Sequence, residues 1–275
     1  MITRFAPSPT GHLHLGHAYA AKFASDLAAE NGGHFLLRFE DIDTTRVREQ
    51  HYAEIEQDLR WLGIEWSGTP LRQLDRLAAY AEALEKLKAM NVVYPCFCTR
   101  KNIQHEIESM SNAPHGPEGV LYPGTCKNLT KSERDERLSR GDAHAWRLDT
   151  SAASQRVGKL SFTDTIHGTI EVDPFLLGDV VLARKDIATS YHLAVVVDDA
   201  FQKITDVTRG EDLLASTHVH RILQELLALS EPTYHHHRVV LDDSGKRLAK
   251  RDDSLSISTF RELGKSPDQV LAMIG

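Results

Sequence analysis

Apolar and polar positions along the chain change period several times, and each change marks an element. Residues 1–5 form a short apolar start that reads as a strand. Pro7 and Pro9 end it, since each lacks a backbone donor and fixes φ. Residues 18–24 open a helix that Gly32-Gly33 stops. Residues 34–39, His-Phe-Leu-Leu-Arg-Phe, then read as a buried strand, completing a βαβ unit. Such crossovers are nearly always right-handed, which predicts a parallel sheet with ligands at the C-terminal ends of its strands.

Further along, 47–62 is patterned as an amphipathic helix closed by Gly63, and 75–90 as another. Trp61 and Trp66 are expected to cover core. From Val92 an irregular stretch rich in Gly, Pro and Asn runs to Cys126. Residues 129–140 are a charged helix candidate, and 146–172 read as short strands with polar breaks. Residues 175–184 return towards the main sheet. Residues 204–212 read as strand, turn and helix start, a second βα-type unit, and Ser266-Pro267 begins a short final helix.

Composition narrows the class. With 275 residues, 41% hydrophobic and 26% charged, the chain suits a globular protein of one large domain with an insertion, or two modest domains. No apolar run approaches the ~20 residues that span a bilayer, and Arg4 and the prolines stand where a signal peptide would be apolar. Three cysteines, an odd number, argue against a disulfide framework and point to a cytoplasmic setting. The net charge of −7 is not that of a simple nucleic-acid binder, so any RNA contact requires a local basic face.

The chemistry-bearing residues fall at predicted strand ends. Between the first strand and helix lie Thr10, Gly11, Gly16 and three histidines, His12, His14 and His17. Small residues let backbone approach a ligand, a helix N-terminus attracts phosphate, and imidazoles can donate to its oxygens. Glu40, the first residue past the second strand, is expected to point into the crevice. Asp43 is expected to cap the next helix. Arg209 ends a strand on the same rim as Arg4 and Glu40, and two arginines there suit a dicarboxylate ligand. Cys96, Cys98 and Cys126 gather in one region, which favours Zn²⁺ over three free core cysteines. The fourth ligand could be Tyr122, His105, His115 or water, and spacing alone points to a histidine. His235, His236 and His237 alternate along a strand, cannot all face one ion, and are expected to be ordinary structure. Last, Gly245 precedes four basic residues in six, Lys246 to Arg251, which read as a solvated loop or a phosphate clamp.

Several of these strings resemble a known family. His14-Leu15-Gly16-His17 resembles the HIGH signature of class I aminoacyl-tRNA synthetases, and Arg-Phe-Ala-Pro-Ser-Pro-Thr-Gly, residues 4–11, its glutamyl branch. Phe39-Glu40-Asp41-Ile42-Asp43 is similar to the branch's string for the substrate α-amino group, and 190–199 to the segment with a substrate-side tyrosine, Tyr191. Residues 247–251 resemble the KMSKS loop, departing at Arg247 and Ala249 but keeping Lys250, which in the family faces the triphosphate. Cys-x-Cys followed by Tyr-x-x-x-Cys resembles the zinc motif of the glutamyl-Q tRNA(Asp) synthetase family, and the resemblance moves the fourth ligand to Tyr122.

That resemblance implies an α/β fold. A Rossmann-type parallel-sheet catalytic domain, in two halves at 1–95 and 176–275, would surround an inserted zinc-containing α+β subdomain at 96–175. The anticodon-binding domain of full glutamyl-tRNA synthetases is not expected. It implies ATP-dependent, tRNA-independent activation of L-glutamate and its transfer to the queuosine base of tRNA(Asp), with one structural Zn²⁺ and with Mg²⁺ accompanying ATP, in a monomer without membrane contact. His14, His17 and Lys250 would act on the phosphates, with Thr10, Gly11 and Gly16 also at ATP. Arg4, Ser8, Glu40, Tyr191 and Arg209 would hold glutamate. The competing readings are a truncated synthetase charging a tRNA 3′ end, an idle glutamate or ATP sensor, and an unrelated nucleotidyltransferase.

Overall fold

In the computed structural model, residues 1–109, 115–117, 119–239 and 256–274 are described. The first βαβ unit forms as patterned. Strands β1 (Ile2–Phe5) and β2 (His34–Phe39) pair in parallel, Ile2 opposite His34, with α1 (Leu15–Glu30) as the crossover. Gly32 has φ +60°, and a Cβ at Gly33 would meet the Met1 carbonyl oxygen at 2.3 Å. Only glycine lets the chain turn back against β1 here. Helix α1 lies close on the sheet because Ala18, Ala21, Ala24 and Ala28 face it with at most 1% exposure. Thr3 Oγ1 donates to the Ala24 carbonyl at 2.7 Å.

After α2 (Glu49–Trp61), the short β3 (Leu71–Arg72) adds in parallel to β2, and α3 (Leu77–Ala89) follows. Helix α2 begins two residues later than patterned, at an N-cap, Arg48, that makes no side-chain cap bond. Asp43 therefore does not cap it. Its carboxylate instead accepts from Thr45 Oγ1 at 2.6 Å and faces Arg184 at 3.8 Å. Trp61 and Trp66 pack on the core beneath.

An antiparallel sheet comes next. Strand β4 (Val93–Cys96) leads to α4 (Arg100–Ser109), the small hairpin β5 (His115–Gly116) and β6 (Gly119–Val120), and α5 (Lys131–Ser139). Strand β7 (Ala145–Leu148) then lies between β4 and β10 (Val181–Ala183). Within 146–172, expected to be all short strands, a helix intervenes, α6 (Thr150–Val157). Asp149 caps it by accepting from Ala152 N–H at 3.0 Å, and Gly158 at φ +69° ends it. At eight residues it is too short for its period to show among polar neighbours.

The hairpin β8 (Ser161–Asp164) and β9 (Gly168–Glu171) joins a second parallel set, ordered β11 (Asp206–Gly210), β12 (Thr233–His237), β8, β9. Helices α7 (Tyr191–Phe201) and α8 (Leu214–Leu226) flank it, and α9 (Ile257–Glu262) and α10 (Pro267–Leu271) close the described chain. Thr205 N–H donates to the Ile2 carbonyl at 3.0 Å, bringing β11 beside β1. The C-terminal ends of β1, β2 and β11 thus open on one rim.

The alanine face of α1 yields a test. Ala21→Leu should lower the urea midpoint by the equivalent of about 1–3 kcal/mol, because the site is filled and overpacking displaces the helix. An unchanged midpoint would mean that α1 does not sit on the sheet this closely.

Candidate active site

Three adjoining clefts run along that rim. The first, about 120 Å³, lies at the start of α1, with His14, Gly16, His17 and Arg238 among its walls. The second, about 170 Å³, is lined by Arg4, Glu40, Tyr191, Thr208 and Arg209, and shares Ala20, Gly210 and Leu213 with the first. The third, about 380 Å³, shares Glu40 and Tyr191 with the second and adds Ser8, Thr10 and Ser190. Together they make one trough running from the N-terminus of α1 to the cluster of Arg4, Glu40 and Arg209.

At the first end, the backbone sets the histidine tautomers. His14 is the N-cap of α1, and its Nδ1 accepts from Gly16 N–H at 3.1 Å. His17 Nδ1 accepts from His14 N–H at 3.3 Å, and the two rings stack at 3.8 Å. A Cβ at Gly16 would lie 3.1 Å from the His14 ring, so a larger residue would push that ring by a few tenths of an ångström. With both Nδ1 atoms accepting, the hydrogen of each neutral ring sits on Nε2. Gly11 has open space where a Cβ would stand. His12, by contrast, turns away: it packs edge-on against His51 on α2 and lies 3.4 Å from Glu54. Two histidines of the loop, not three, face the trough.

Lys250 and the basic run 246–251 lie outside the described residues. Chain on both sides of that stretch does reach this end: Arg238 and Val239 line the first cleft, and Ser256 bridges to His14.

The middle of the trough is built from buried charge. Arg4 gives Nε to Asp199 Oδ1 at 2.9 Å, Nη2 to Oδ2 at 3.3 Å and Nη1 to the Thr208 carbonyl at 3.1 Å. Arg38, fully buried beneath, gives Nη1 to the same Asp199 Oδ1 at 2.8 Å. Burial opposes the charge on Arg38, yet Asp199, Glu40 and Asp198 outweigh it and hold its pKa above normal. Burial likewise opposes the Asp199 charge, and Arg4 and Arg38 overcome it, so that carboxylate stays ionised. Asp198, next along α7, is held by Arg76, Gln73 and Tyr80. Glu40 is different. Burial pushes it up to about 7, against the pull of Arg38 at 3.8 Å and of Arg4. It is poised between charge states at neutral pH.

Arg209 is held otherwise. Only 6% exposed, it donates Nε to His236 Nε2 at 3.1 Å and Nη1 to Tyr191 Oη at 3.2 Å and His220 Nδ1 at 3.1 Å. Nη2 donates to Thr217 Oγ1. Among the described residues its hydrogen-bond partners are all neutral side chains.

The triplet 235–237 alternates along β12 as expected: His235 pairs with Asp206 at 2.8 Å and His237 packs on Tyr19 and Phe23. His236, though, touches Arg209, a role the alternation could not show. His192 backs His220 from behind, Nδ1 to Nε2 3.1 Å. Arg38, Asp199, Thr217 and His220 were not singled out from the sequence. An arginine in a buried-type strand and an Asp-Asp pair on an apolar helix were their only signals.

The cysteines meet as a cluster. The three Sγ atoms lie within 4.8 Å of one another, Cys98 and Cys126 at 3.4 Å. Tyr122 Oη lies 3.4 Å from Cys96 and 3.5 Å from Cys98 and accepts from Cys126 N–H at 2.9 Å. Phe97 N–H donates to Cys126 Sγ at 3.3 Å. Hydrogen bonds from Cys126, then Tyr122 and Arg147, draw the Cys96 thiol down against its burial, while the same bond to Cys96 pushes Cys126 up. Tetrahedral zinc with ~2.3 Å bonds sets its sulfurs ~3.8 Å apart, and this spacing fits. His105 does not join the cluster, and the His115 side chain lies outside the described residues.

Comparison with known proteins agrees with this geometry. The family described as tRNA synthetases class I (E and Q), catalytic domain, matches residues 1–275. The chain is 48% identical to the glutamyl-Q tRNA(Asp) synthetase of Rhodobacter capsulatus, covering all of both chains. It is 41% identical to the protein of that name from Nocardia farcinica, over 98% of this chain and 82% of the relative. A solved glutamate-tRNA synthetase from Elizabethkingia anophelis superposes with a TM-score of 0.79 at 29% identity. That match covers 91% of this chain, which spans about half (52%) of the solved one. With the His14–His17 turn, the parallel sheet and these relatives in agreement, the chain belongs to the class I tRNA synthetases of the glutamyl and glutaminyl branch, a family of ligases.

Proposed function

We propose that the chain activates L-glutamate with ATP, without tRNA, and transfers the glutamyl group to the queuosine base in the anticodon of tRNA(Asp). The observation that carries the glutamate reading is Arg209: a buried guanidinium with neutral partners, in one cleft with Arg4 and Glu40. A ligand bringing two carboxylates and an ammonium completes that charge set. The queuosine reading is supported by the name of the relative that matches end to end.

The α-carboxylate of glutamate would attack the ATP α-phosphorus, forming the acyl–phosphate bond as pyrophosphate leaves. A hydroxyl of the queuosine cyclopentenediol would then attack the acyl carbonyl, forming the ester and releasing AMP. The protein's part is positioning and charge stabilisation. Glu40 would take the α-ammonium, and Arg4, Arg209, Ser8 and Tyr191 the carboxylates. Thr10, Gly11 and Gly16 would line the path of ATP. His14 and His17 would donate Nε2–H to its phosphates, and Lys250 would close over them. Mg²⁺ accompanying ATP would neutralise charge on the leaving pyrophosphate. Cys96, Cys98, Tyr122 and Cys126 would hold one structural Zn²⁺ in an inserted subdomain at 96–175.

ATP–pyrophosphate exchange without tRNA should respond to glutamate at least ~10²-fold better than to glutamine, since the amide strands a buried guanidinium. Aspartate should fail because its second carboxylate falls short. Labelled glutamate should then enter tRNA(Asp) from queuosine-containing cells and not from queuosine-free cells. Equal exchange with glutamine would remove the two-arginine reading, and labelling independent of queuosine would point to a 3′-charging enzyme.

Glu40 sets a pH dependence. It must be ionised to take the ammonium, so kcat/KM for glutamate should fall about tenfold per unit as pH drops below about 7. Glu40→Gln should abolish that limb. The stability contribution has the opposite sign: unfolded Glu40 releases its proton near 4.5 and folded Glu40 near 7, so this group's contribution declines as pH rises between them.

Elemental analysis of untagged protein should find about one zinc per chain. Cys98→Ser should lose it while leaving ATP binding largely intact. Fully active zinc-free protein would overturn a structural role for the metal.

A further inference from the structure

The hydrogen bonds around Arg209 carry more information than their distances, because a guanidinium donates at every nitrogen and accepts at none. Each partner of Arg209 must therefore turn a lone pair towards it. His236 does so with Nε2, so its hydrogen is on Nδ1, where it donates to Asp164 Oδ2 at 2.7 Å. His220 does so with Nδ1, so its hydrogen is on Nε2, where it donates to His192 Nδ1 at 3.1 Å. Thr217 accepts from Nη2, and its Oγ1 lies 3.1 Å from the same His236 Nε2. Burial and the Arg209 charge keep all three rings neutral, His192 and His236 drawn down to about 4 and His220 well below its ordinary value.

Tyr191 is the last partner. Its oxygen accepts from Arg209 Nη1, so its hydrogen must point elsewhere, and the ring lines both the Arg4–Glu40 cleft and the wider cleft beside it. The wall that Arg209 and Tyr191 share then offers only hydrogen donors. A carboxylate oxygen is accepted there, whereas the NH₂ of an amide would face donors on this wall, Glu40 in the same cleft being assigned to the ammonium.

We propose that His220, its tautomer held by His192, is a positioning residue that keeps the Arg209–Tyr191 pair a donor-only wall, and that this wall is what separates a carboxylate from an amide side chain. The proposal rests on the glutamate reading above and adds a residue that need not touch the substrate. Removing the His220 acceptor would leave an Arg209 N–H unpaired and let both Arg209 and the Tyr191 hydroxyl turn.

The test is ATP–pyrophosphate exchange by the full chain with glutamate and with glutamine, in wild type, His220→Leu and His220→Asn. His220→Leu should raise KM for glutamate about tenfold or more and narrow the glutamate-to-glutamine preference by a similar factor, with KM for ATP within about twofold. His220→Asn, whose Oδ1 can stand near the lost Nδ1, should recover most of both losses, which a merely structural role would not predict. Should His220→Leu not accumulate as folded protein, His192→Leu, which removes the acceptor behind His220 together with its ring contacts to Tyr191 and His220, should shift the same two quantities in the same direction by a smaller factor. Leu variants with wild-type glutamate KM and wild-type preference, or an Asn variant no better than Leu, would overturn the proposal while leaving the glutamate reading intact. A wild-type protein that does not activate glutamate would overturn both.

Discussion

The trough depends on Asp199. One carboxylate, carried on α7, receives Arg4 from β1 and Arg38 from β2 and so joins three elements beneath the cleft. Two guanidinium groups brought from water into a sheet interior cost several kcal/mol each unless paired, and removing one member of such a set costs about 3–5 kcal/mol. The arrangement therefore has a single stable register. Shifting β1 by one residue would turn Arg4 to the other face and leave Asp199 half-paired.

Above that foundation the charges divide into two kinds. Arg38 is paired with Asp199 and Arg76 with Asp198, so they belong to the frame, while Arg4 is anchored by Asp199 and also lines the cleft. Arg209 is surrounded by groups that take its hydrogens without cancelling its charge, and Glu40 is held near its midpoint. A site for a zwitterionic acid needs this incompleteness. A fully paired cleft would have to break its own ion pairs to bind anything, whereas in the proposed reading the ligand would bring the missing charges.

The cysteine cluster follows a different logic. Its sheet, β4–β7–β10, is antiparallel, and the thiols come from the end of β4 and a turn thirty residues on. Backbone N–H groups from Phe97 and Cys126 and the Arg147 guanidinium stacked on Tyr122 already favour negative charge there. Such a pocket suits thiolate ligands without a large core of its own.

How much of this is legible in the sequence depends on the range of the forces involved. The first βαβ unit, its Gly32-Gly33 stop and the histidine turn at the head of α1 are all local. Periodicity, proline and glycine stereochemistry and spacing determine them within a few residues, and the structure reproduces them closely. The short helix α6 escaped because eight polar-rich residues carry too little period. The counter-charges were decided by tertiary structure alone. Arg4 reads the same in a sequence whether it faces water, substrate or Asp199, and Asp199 stands 195 positions away. Likewise no pattern distinguishes His220 on an apolar helix from a packing histidine. Its meaning arises when β11 and α8 bring Arg209 to its Nδ1, and the one-way donation of a guanidinium then decides where every neighbouring hydrogen must lie.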